Sequence, residues 1–261
     1  MITKPKSNYQ QIALDARKKV LSLIYKAQTS HIGSNFSVID IMTVLFENIN
    51  LVKDKVILSK GWAAASLYYF LWRKGKISKK QLDSYCMPGS RFIGLAEPII
   101  SDIPFSGGSV GMGIPAGVGF AISKKLKEDD GIINVIESDG GLNVGMVWES
   151  ALIASHHKLN NLVVWIDNNS LQAMGESQKL LKTENIENKF KSFGWHTQRI
   201  NGHSFNEILK AYKSISFSKP NVIIADTVKG HPITFMLNNN FFHYARLTNK
   251  MYRYAKKEIG L

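Results

Sequence analysis

Two strand–helix–strand units in the second half of the chain constrain its fold most. The first has apolar segments over residues 132–137 and 162–167, joined by a helical pattern over 146–157. Short, continuously apolar segments bounded by turn residues are typical of parallel strands covered on both faces. We therefore predict an α/β protein, with a mostly parallel sheet and helices on both faces. The second unit repeats the order over residues 195–200, 205–214 and 222–226.

The first half of the chain is predicted to be mainly helical. Residues 55–59 indicate one short buried strand, and a glycine-rich loop over 105–113 opens a small-residue helix that reaches Ile122. No internal repeat or low-complexity linker divides the chain, so we interpret residues 1–261 as a single domain. Four further helices are predicted from apolar periodicity and composition, over residues 12–26, 40–46, 63–74 and 79–85.

Composition argues against several classes of function. The net charge is +13, but the basic residues are scattered and no nucleic-acid motif is present, so we expect no nucleic-acid partner. No apolar run is long enough to span a bilayer, and the N-terminus lacks the apolar stretch of a signal peptide. Cys86 is the single cysteine, which excludes an intrachain disulfide and favours a reducing cytoplasm. We therefore expect a cytoplasmic protein with no membrane partner.

Polar residues follow two consecutive predicted strands. Asp139, Gly140 and Gly141 come after the strand over 132–137, and Asn169 comes after the next strand. Each motif alone is also compatible with ordinary turn chemistry. Because adjacent parallel strands lie about 5 Å apart, Asp139 and Asn169 are placed to converge on one ion. Carboxylate, amide and carbonyl oxygens are hard ligands that suit Mg²⁺.

The spacing of these residues resembles the thiamine diphosphate motif, in which Gly-Asp-Gly is followed by a helix and then Asn. Here Ser138-Asp139-Gly140 is followed by Asn169, thirty residues after Asp139 (169 − 139 = 30). The chain resembles transketolases in unbroken order from about Arg17 to His243. The segments that carry this resemblance include residues 30–37, 57–61, 108–113, 147–159, 193–196 and 227–230.

The resemblance implies a metal and cofactor site at these strand ends. The side chains of Asp139 and Asn169 and the carbonyl oxygen of Leu171 would coordinate Mg²⁺. Gly140 and Gly141 would let the diphosphate of thiamine diphosphate approach the backbone, whose amides would supply donors.

Further residues receive roles from the same resemblance. Gly108 and Val110 would contact thiamine diphosphate from the opposite side, and His243 would bind a diphosphate oxygen. His31 would face the substrate as the catalytic residue, a role that suits a proton shuttle near neutral pH. Two alternatives remain open. One is that His31 is a helix-end histidine, and the other is that His243 lies in a surface loop.

The resemblance also implies an enzyme of two chains. In transketolases a glutamate on a second type of domain activates the aminopyrimidine ring, and no further strand–helix–strand unit remains before Leu261 to carry it. We expect a separate pyrimidine-binding subunit, an α2β2 heterotetramer and no activity for this chain alone. The expected reaction is transfer of a ketol or acyl unit, with C–C bond cleavage and formation, to a sugar-like or other carbonyl acceptor.

Several positions depart from the transketolase pattern, among them Ser138 for the first glycine of Gly-Asp-Gly and His231-Pro232 after Gly230, and three bear most on function. Trp62 and Leu95 stand where the family has histidines, and Val144 stands where the family has a glutamate. Trp62 and Leu95 are expected to make the substrate pocket more apolar and to change its shape. Two interpretations stay open: a transferase with other donors or acceptors, and a degenerate, non-catalytic structural subunit of a transketolase-like assembly.

Overall fold

The computed structural model describes residues 8–183 and 185–261 and contains a five-stranded parallel sheet. Its spatial order is β1-β2-β3-β5-β4, which confirms the predicted parallel α/β architecture. The strands begin and end within two residues of the predicted limits. They are β1 (Lys55–Leu58), β2 (Ile133–Ser138), β3 (Leu162–Asn168), β4 (His196–Asn201) and β5 (Asn221–Asp226).

Helices cover both faces of this sheet. The helices are α1 (Tyr9–Ala27), α2 (Ile32–Asn48), α3 (Ala64–Arg73), α4 (Lys79–Asp83), α5 (Gly113–Leu126), α6 (Gly145–His156), α7 (Ser177–Leu180), α8 (Ile186–Ser192), α9 (Phe205–Lys213) and α10 (Asn249–Glu258). One hydrophobic core joins the sheet to α1, α2, α3, α9 and α10, and a second joins the opposite face to α5, α6 and α8. No helix in the described part of the chain is long and apolar enough to cross a membrane.

The apolar run of β3 follows from its central place in the sheet. Side chains alternate between the two faces of a strand, so Val163 and Trp165 enter one core while Val164 and Ile166 enter the other. The edge strand β4 has only one neighbour and leaves Arg199 exposed. Its weaker apolar pattern therefore reflects its position.

Helix α2 is longer than predicted. It begins at Ile32 instead of residue 40 because its polar first turns are buried and hydrogen-bonded. The amide nitrogen of Asn35 donates to the carbonyls of His31 and Trp62, and its oxygen accepts from the backbone of Ser66. The contacts with Trp62 and Ser66, which are distant in sequence, stabilise the first turns of this helix.

Three described α-helices were not predicted from the sequence, and one of them, α7, is a single turn of four residues. Helix α8 has only seven residues, and the single buried residue of α10 is Ala255, so neither shows a clear apolar period.

Candidate active site

A cavity of about 490 Å³ lies at the carboxyl ends of β1, β2 and β3. Ligands of parallel α/β sheets bind at this edge. The wall includes both predicted histidines and all three predicted metal ligands. The predicted residues on this wall are His31, Val110, Asp139, Gly140, Asn169, Leu171 and His243.

Two predicted cofactor contacts lie off this wall. Gly108 is exposed, and its neighbour Gly107 lines the cavity instead. Gly141 packs against Glu137, so closely that a Cβ atom at Gly141 would lie 2.2 Å from the Glu137 Oε1. The roles of Gly108 and Gly141 toward the cofactor stay predictions.

The predicted metal ligands present three oxygen atoms from two strand ends. Asp139 is buried and accepts a hydrogen bond from Ser177 Oγ at 2.5 Å. The side-chain oxygen of Asn169 accepts from the Leu171 amide at 3.1 Å. Burial raises the pKa of Asp139, and a nearby cation would favour its charged form. This set of hard oxygen donors fits Mg²⁺.

A buried ion pair supports the same edge of the sheet. Asp167, at the end of β3, is fully buried and pairs with Lys60, which follows β1. It also accepts hydrogen bonds from the hydroxyls of Ser37 and Thr227. Burial raises the pKa of Asp167, but Lys60 and the hydroxyls hold it below its usual value. The charge of Asp167 is thus neutralised within the protein, whereas Asp139, which lines the cavity, has no lysine partner among the described residues.

A second buried lysine, Lys229, lies behind the cavity. Its side-chain nitrogen lies 2.7 Å from His243 Nδ1 and donates to the Leu171 carbonyl at 3.2 Å. Burial and the charge of Lys60 lower the pKa of Lys229 to about 8. Lys60 lines the cavity, and Lys229 contacts His243 and Leu171, which line it, so two ammonium groups lie close to the same wall, an arrangement that suits a diphosphate.

Neither lysine has a role predicted from the sequence. The available signals are their positions, since Lys60 comes two residues after the end of β1 and Lys229 three residues after the end of β5. Both lie at strand ends, where a cation can reach a ligand.

His31 lies between α1 and α2 with a positive φ of 67°. Its Nδ1 is 2.6 Å from Ser30 Oγ, and its backbone nitrogen donates to the carbonyl of His243. Burial, followed by the charges of Lys229 and Lys60, lowers the pKa of His31 to about 4. The imidazole is therefore neutral at pH 7 and able to accept a proton.

Aromatic rings surround this imidazole. Trp62 stacks on His31 with ring centroids 4.6 Å apart, and His243 approaches edge-on at 4.9 Å. Trp62 lines the cavity, which makes one wall apolar as expected. Leu95 does not line it, because its side chain packs behind Gly108.

The third departure lies away from the His31 ring. Val144 precedes α6 and packs against Gly111, where a Cβ atom would lie 2.7 Å from that of Val144.

The family model for the transketolase thiamine diphosphate-binding domain matches residues 9–261. The chain belongs to this family. Among curated relatives, one subunit of the apulose-4-phosphate transketolase of Phocaeicola vulgatus is 30% identical over 255 residues, 94% of this chain and 91% of its own length. A 6-deoxy-6-sulfo-D-fructose transketolase subunit of a Clostridium species is 29% identical and 93% covered in both chains.

Solved transketolases share this fold. The Campylobacter jejuni transketolase superposes with a TM-score of 0.92 at 27% identity over 98% of this chain. This transketolase-family chain spans only 43% of that protein, whereas it spans nearly all of the relatives named as subunits. The comparisons confirm the prediction of an N-terminal, diphosphate-binding subunit of the split transketolase type, which is a transferase and binds thiamine diphosphate.

Proposed function

We propose that this chain holds thiamine diphosphate and Mg²⁺ for a two-chain enzyme that transfers a ketol or acyl unit. The observation that carries the proposal is the convergence of Asp139, Asn169 and the Leu171 carbonyl on one cavity beside Lys60 and Lys229. Oxygen ligands for a cation lie next to ammonium groups for a polyanion. That combination suits a metal–diphosphate pair.

The cofactor would supply the electron sink that C–C bond cleavage and formation require. The residues of this chain would bind and orient it. Asp139, Asn169 and Leu171 would hold Mg²⁺, and the backbone at Gly140 would lie close to the diphosphate. Lys229 would offset phosphate charge from the side of β5, whereas the charge of Lys60 is already matched by Asp167.

His31 is proposed as the group that moves protons at the substrate. Ser30 engages its Nδ1, so Nε2 is the ring nitrogen without a hydrogen-bond partner among the described residues. With the ring proton on Nδ1 and donated to Ser30 Oγ, Nε2 would accept a proton from a substrate hydroxyl and return it later. Trp62 fixes the plane of the ring by stacking.

A separate pyrimidine-binding subunit is proposed as the partner, in an α2β2 assembly. Support comes from the two relatives of nearly equal length whose names call them transketolase subunits. Exposed side chains beside the cavity, Trp62, Val110 and Tyr244, offer a surface for such a partner. We propose residues 1–261 as one domain, and a cytoplasmic location from the single thiol, Cys86.

The substrates are proposed to be a sugar-like or other carbonyl donor and acceptor. The two relatives are named for apulose-4-phosphate and 6-deoxy-6-sulfo-D-fructose, both modified sugars. Trp62 replaces a polar family residue with an apolar wall beside His31, which favours a substrate whose face at this point carries no hydroxyl group.

The metal site is tested in the complex with the pyrimidine-binding chain. Thiamine diphosphate affinity is measured with and without Mg²⁺ for the wild type and for Asp139→Ala. We expect Asp139→Ala to abolish the Mg²⁺-dependent part of binding. The matched control is Asp130→Ala, whose carboxylate pairs with Lys53 on the surface and should leave binding unchanged. Undiminished binding in Asp139→Ala contradicts the site.

The catalytic role is tested with His31→Ala in the same complex. Loss of turnover by about 10²–10⁴-fold, with assembly and cofactor affinity retained, supports proton transfer by His31. If the wild-type complex assembles and binds cofactor but turns over no carbonyl substrate, the chain is the non-catalytic subunit of the alternative interpretation.

A further inference from the structure

A second cluster of ionisable side chains lies outside the cavity, between α1, α2 and the loops that follow β4 and β5. Asp40 of α2 is buried, and its Oδ2 lies 2.7 Å from both Arg17 Nη2 and His203 Nδ1. His231 stacks on His203 with ring centroids 4.0 Å apart. The proposed reaction uses none of these residues.

Hydrogen bonding determines the form of His203. The backbone nitrogen of Val228 donates to His203 Nε2 at 2.8 Å, and a backbone N–H can only donate. Nε2 is therefore the unprotonated nitrogen, and Nδ1 carries the proton that it donates to Asp40. Both ring nitrogens are engaged.

The composition of this cluster resembles a metal site, but its hydrogen bonds do not suit one. Asp40, His203 and His231 offer ligand atoms within 4.8 Å of one another. A cation would have to displace the proton on His203 Nδ1 while Val228 holds Nε2. It would also face the guanidinium of Arg17, which shares the same carboxylate oxygen. The cluster is better explained as a hydrogen-bonded support.

The hydrogen bonds of this cluster hold both ends of the segment over residues 228–231. His203 accepts from the amide at the start of the segment, and Arg17 Nε donates to the His231 carbonyl at its end, at 3.3 Å. Lys229 lies between these two points. Its side chain also lies against the start of α2, since a Cβ atom at Gly33 would be 3.1 Å from Lys229 Cγ.

We propose that His203 is a positioning residue that, anchored by Asp40, holds the segment over residues 228–231 so that Lys229 reaches His243 and the Leu171 carbonyl in the cavity wall. The inference rests on the proposed function in so far as Lys229 serves a diphosphate. A connected path runs from Asp40 through His203 and the Val228 amide to Lys229, whose nitrogen contacts His243 and the Leu171 carbonyl. Losing the acceptor at His203 would leave the Val228 amide unpaired and the lysine less constrained.

Two substitutions test the two hydrogen bonds of the His203 ring one at a time. In His203→Gln the side-chain oxygen reaches the position of Nε2 and still accepts from Val228, although the contact with Asp40 is lost. In His203→Asn the amide nitrogen replaces Nδ1 and still donates to Asp40, but nothing accepts from Val228. The pair differs by one methylene, and each member keeps one of the two hydrogen bonds.

The experiment measures two quantities for each variant. Hydrogen–deuterium exchange of the Val228 and Lys229 amides is followed in the full chain without cofactor. The thiamine diphosphate dissociation constant is measured with Mg²⁺ in the complex with the pyrimidine-binding chain. His203→Asn should exchange these amides about tenfold faster and bind cofactor about tenfold more weakly, whereas His203→Gln, which keeps the acceptor for Val228 and loses only the contact with Asp40, should change both quantities less.

The outcomes distinguish this inference from the proposed function. Equal behaviour of the Asn and Gln variants overturns the positioning role, whatever the cofactor affinity. A wild-type complex that fails to bind thiamine diphosphate contradicts the proposed function, while hydrogen–deuterium exchange at Val228 still tests the positioning role of His203.

Lys229→Met is the control that should weaken cofactor binding without faster exchange at Val228. If neither His203 variant folds, hydrogen–deuterium exchange of the Val228 amide in the wild type is the test. Protection similar to that of the β5 amides supports the positioning role, and rapid exchange overturns it.

Discussion

The indole ring of Trp62 lies parallel to the imidazole of His31, with an angle of 9° between the ring planes and centroids 4.6 Å apart. Trp62 is nonetheless 47% exposed, so it covers the histidine while it forms part of the cavity wall. One residue therefore sets both the environment of the proposed proton carrier and the chemistry of the pocket beside it.

Removal of this indole should change the acidity of His31. Burial is the main cause that lowers the pKa of His31 from 6.5 to about 4, so Trp62→Ala should raise it toward 6.5. Titration of the His31 ring protons by NMR measures the change. In the assembled enzyme the acidic limb of kcat/KM should move to higher pH. Phe241→Ala, which removes an exposed ring outside the stack, should leave the pKa of His31 as it is; an unchanged pKa in Trp62→Ala contradicts the prediction.

The ion pair between Lys60 and Asp167 should be strongly coupled. Removing one member of a buried pair typically costs about 3–5 kcal/mol, because the other charge is left without compensation. We expect Lys60→Met and Asp167→Asn each to lower the free energy of unfolding by about that amount. The double variant should be more stable than the sum of the single losses predicts. Urea unfolding of the four proteins measures the coupling, and strictly additive losses would show that the pair is not coupled.

Glu137 should make the chain less stable at alkaline pH. It is fully buried, and burial raises its pKa from 4.5 to about 7, although Ser59 and the Ser138 amide donate hydrogen bonds to it. A group whose folded pKa is raised contributes stability that is present below pH 4.5 and is lost as the pH rises through 7. Glu137→Gln, which stays neutral, should therefore gain on the order of 1–3 kcal/mol relative to the wild type above pH 7.

The same comparison at pH 4 serves as the internal control for Glu137. Both side chains are neutral there, so the two proteins should unfold at similar urea concentrations. A difference that does not change between pH 4 and pH 8 would assign the effect to packing instead of ionisation.

Two glycine-to-alanine substitutions should have opposite effects. A Cβ atom at Gly107 would lie 2.4 Å from the carbonyl oxygen of Leu58, so Gly107→Ala must displace the loop that carries Val110. It should lower both stability and thiamine diphosphate affinity. Gly119 is an exposed residue of α5 with nothing within 4 Å of its added Cβ, and Gly119→Ala should stabilise the chain by about 0.5–1 kcal/mol. Thermal unfolding and cofactor titration compare the two, and equal effects would refute the close approach at Gly107.

The sequence predicted those parts of the fold in which local pattern and burial agree. The central strand β3 is buried on both faces, so its apolar run alone identifies it. The convergence of Asp139 and Asn169 followed from the geometry of parallel strands, without any knowledge of side-chain contacts. The start of α2 was missed because Asn35 is held by partners distant in sequence, including Ser66.

The rest of the site depends on contacts between distant residues. Lys60 and Asp167 are 107 residues apart, and no periodicity predicts their pairing. Lys229 reaches His243 and Leu171 only through the packing of the loop that follows β5. The positive φ of His31 has no local signal either, since it is imposed where two helices meet.

The two buried lysines have a consequence for how the pocket responds to salt. The positive charges of Lys60 and Lys229 equal in number the negative charges of Asp167 and Asp139, although Asp139 forms no ion pair with either lysine, so these four groups sum to about zero while the whole chain carries +13. A metal cation that enters together with a polyanion preserves that balance, whereas either one alone disturbs it. Uptake of the pair should therefore vary little with ionic strength, and uptake of the polyanion without the metal should vary more.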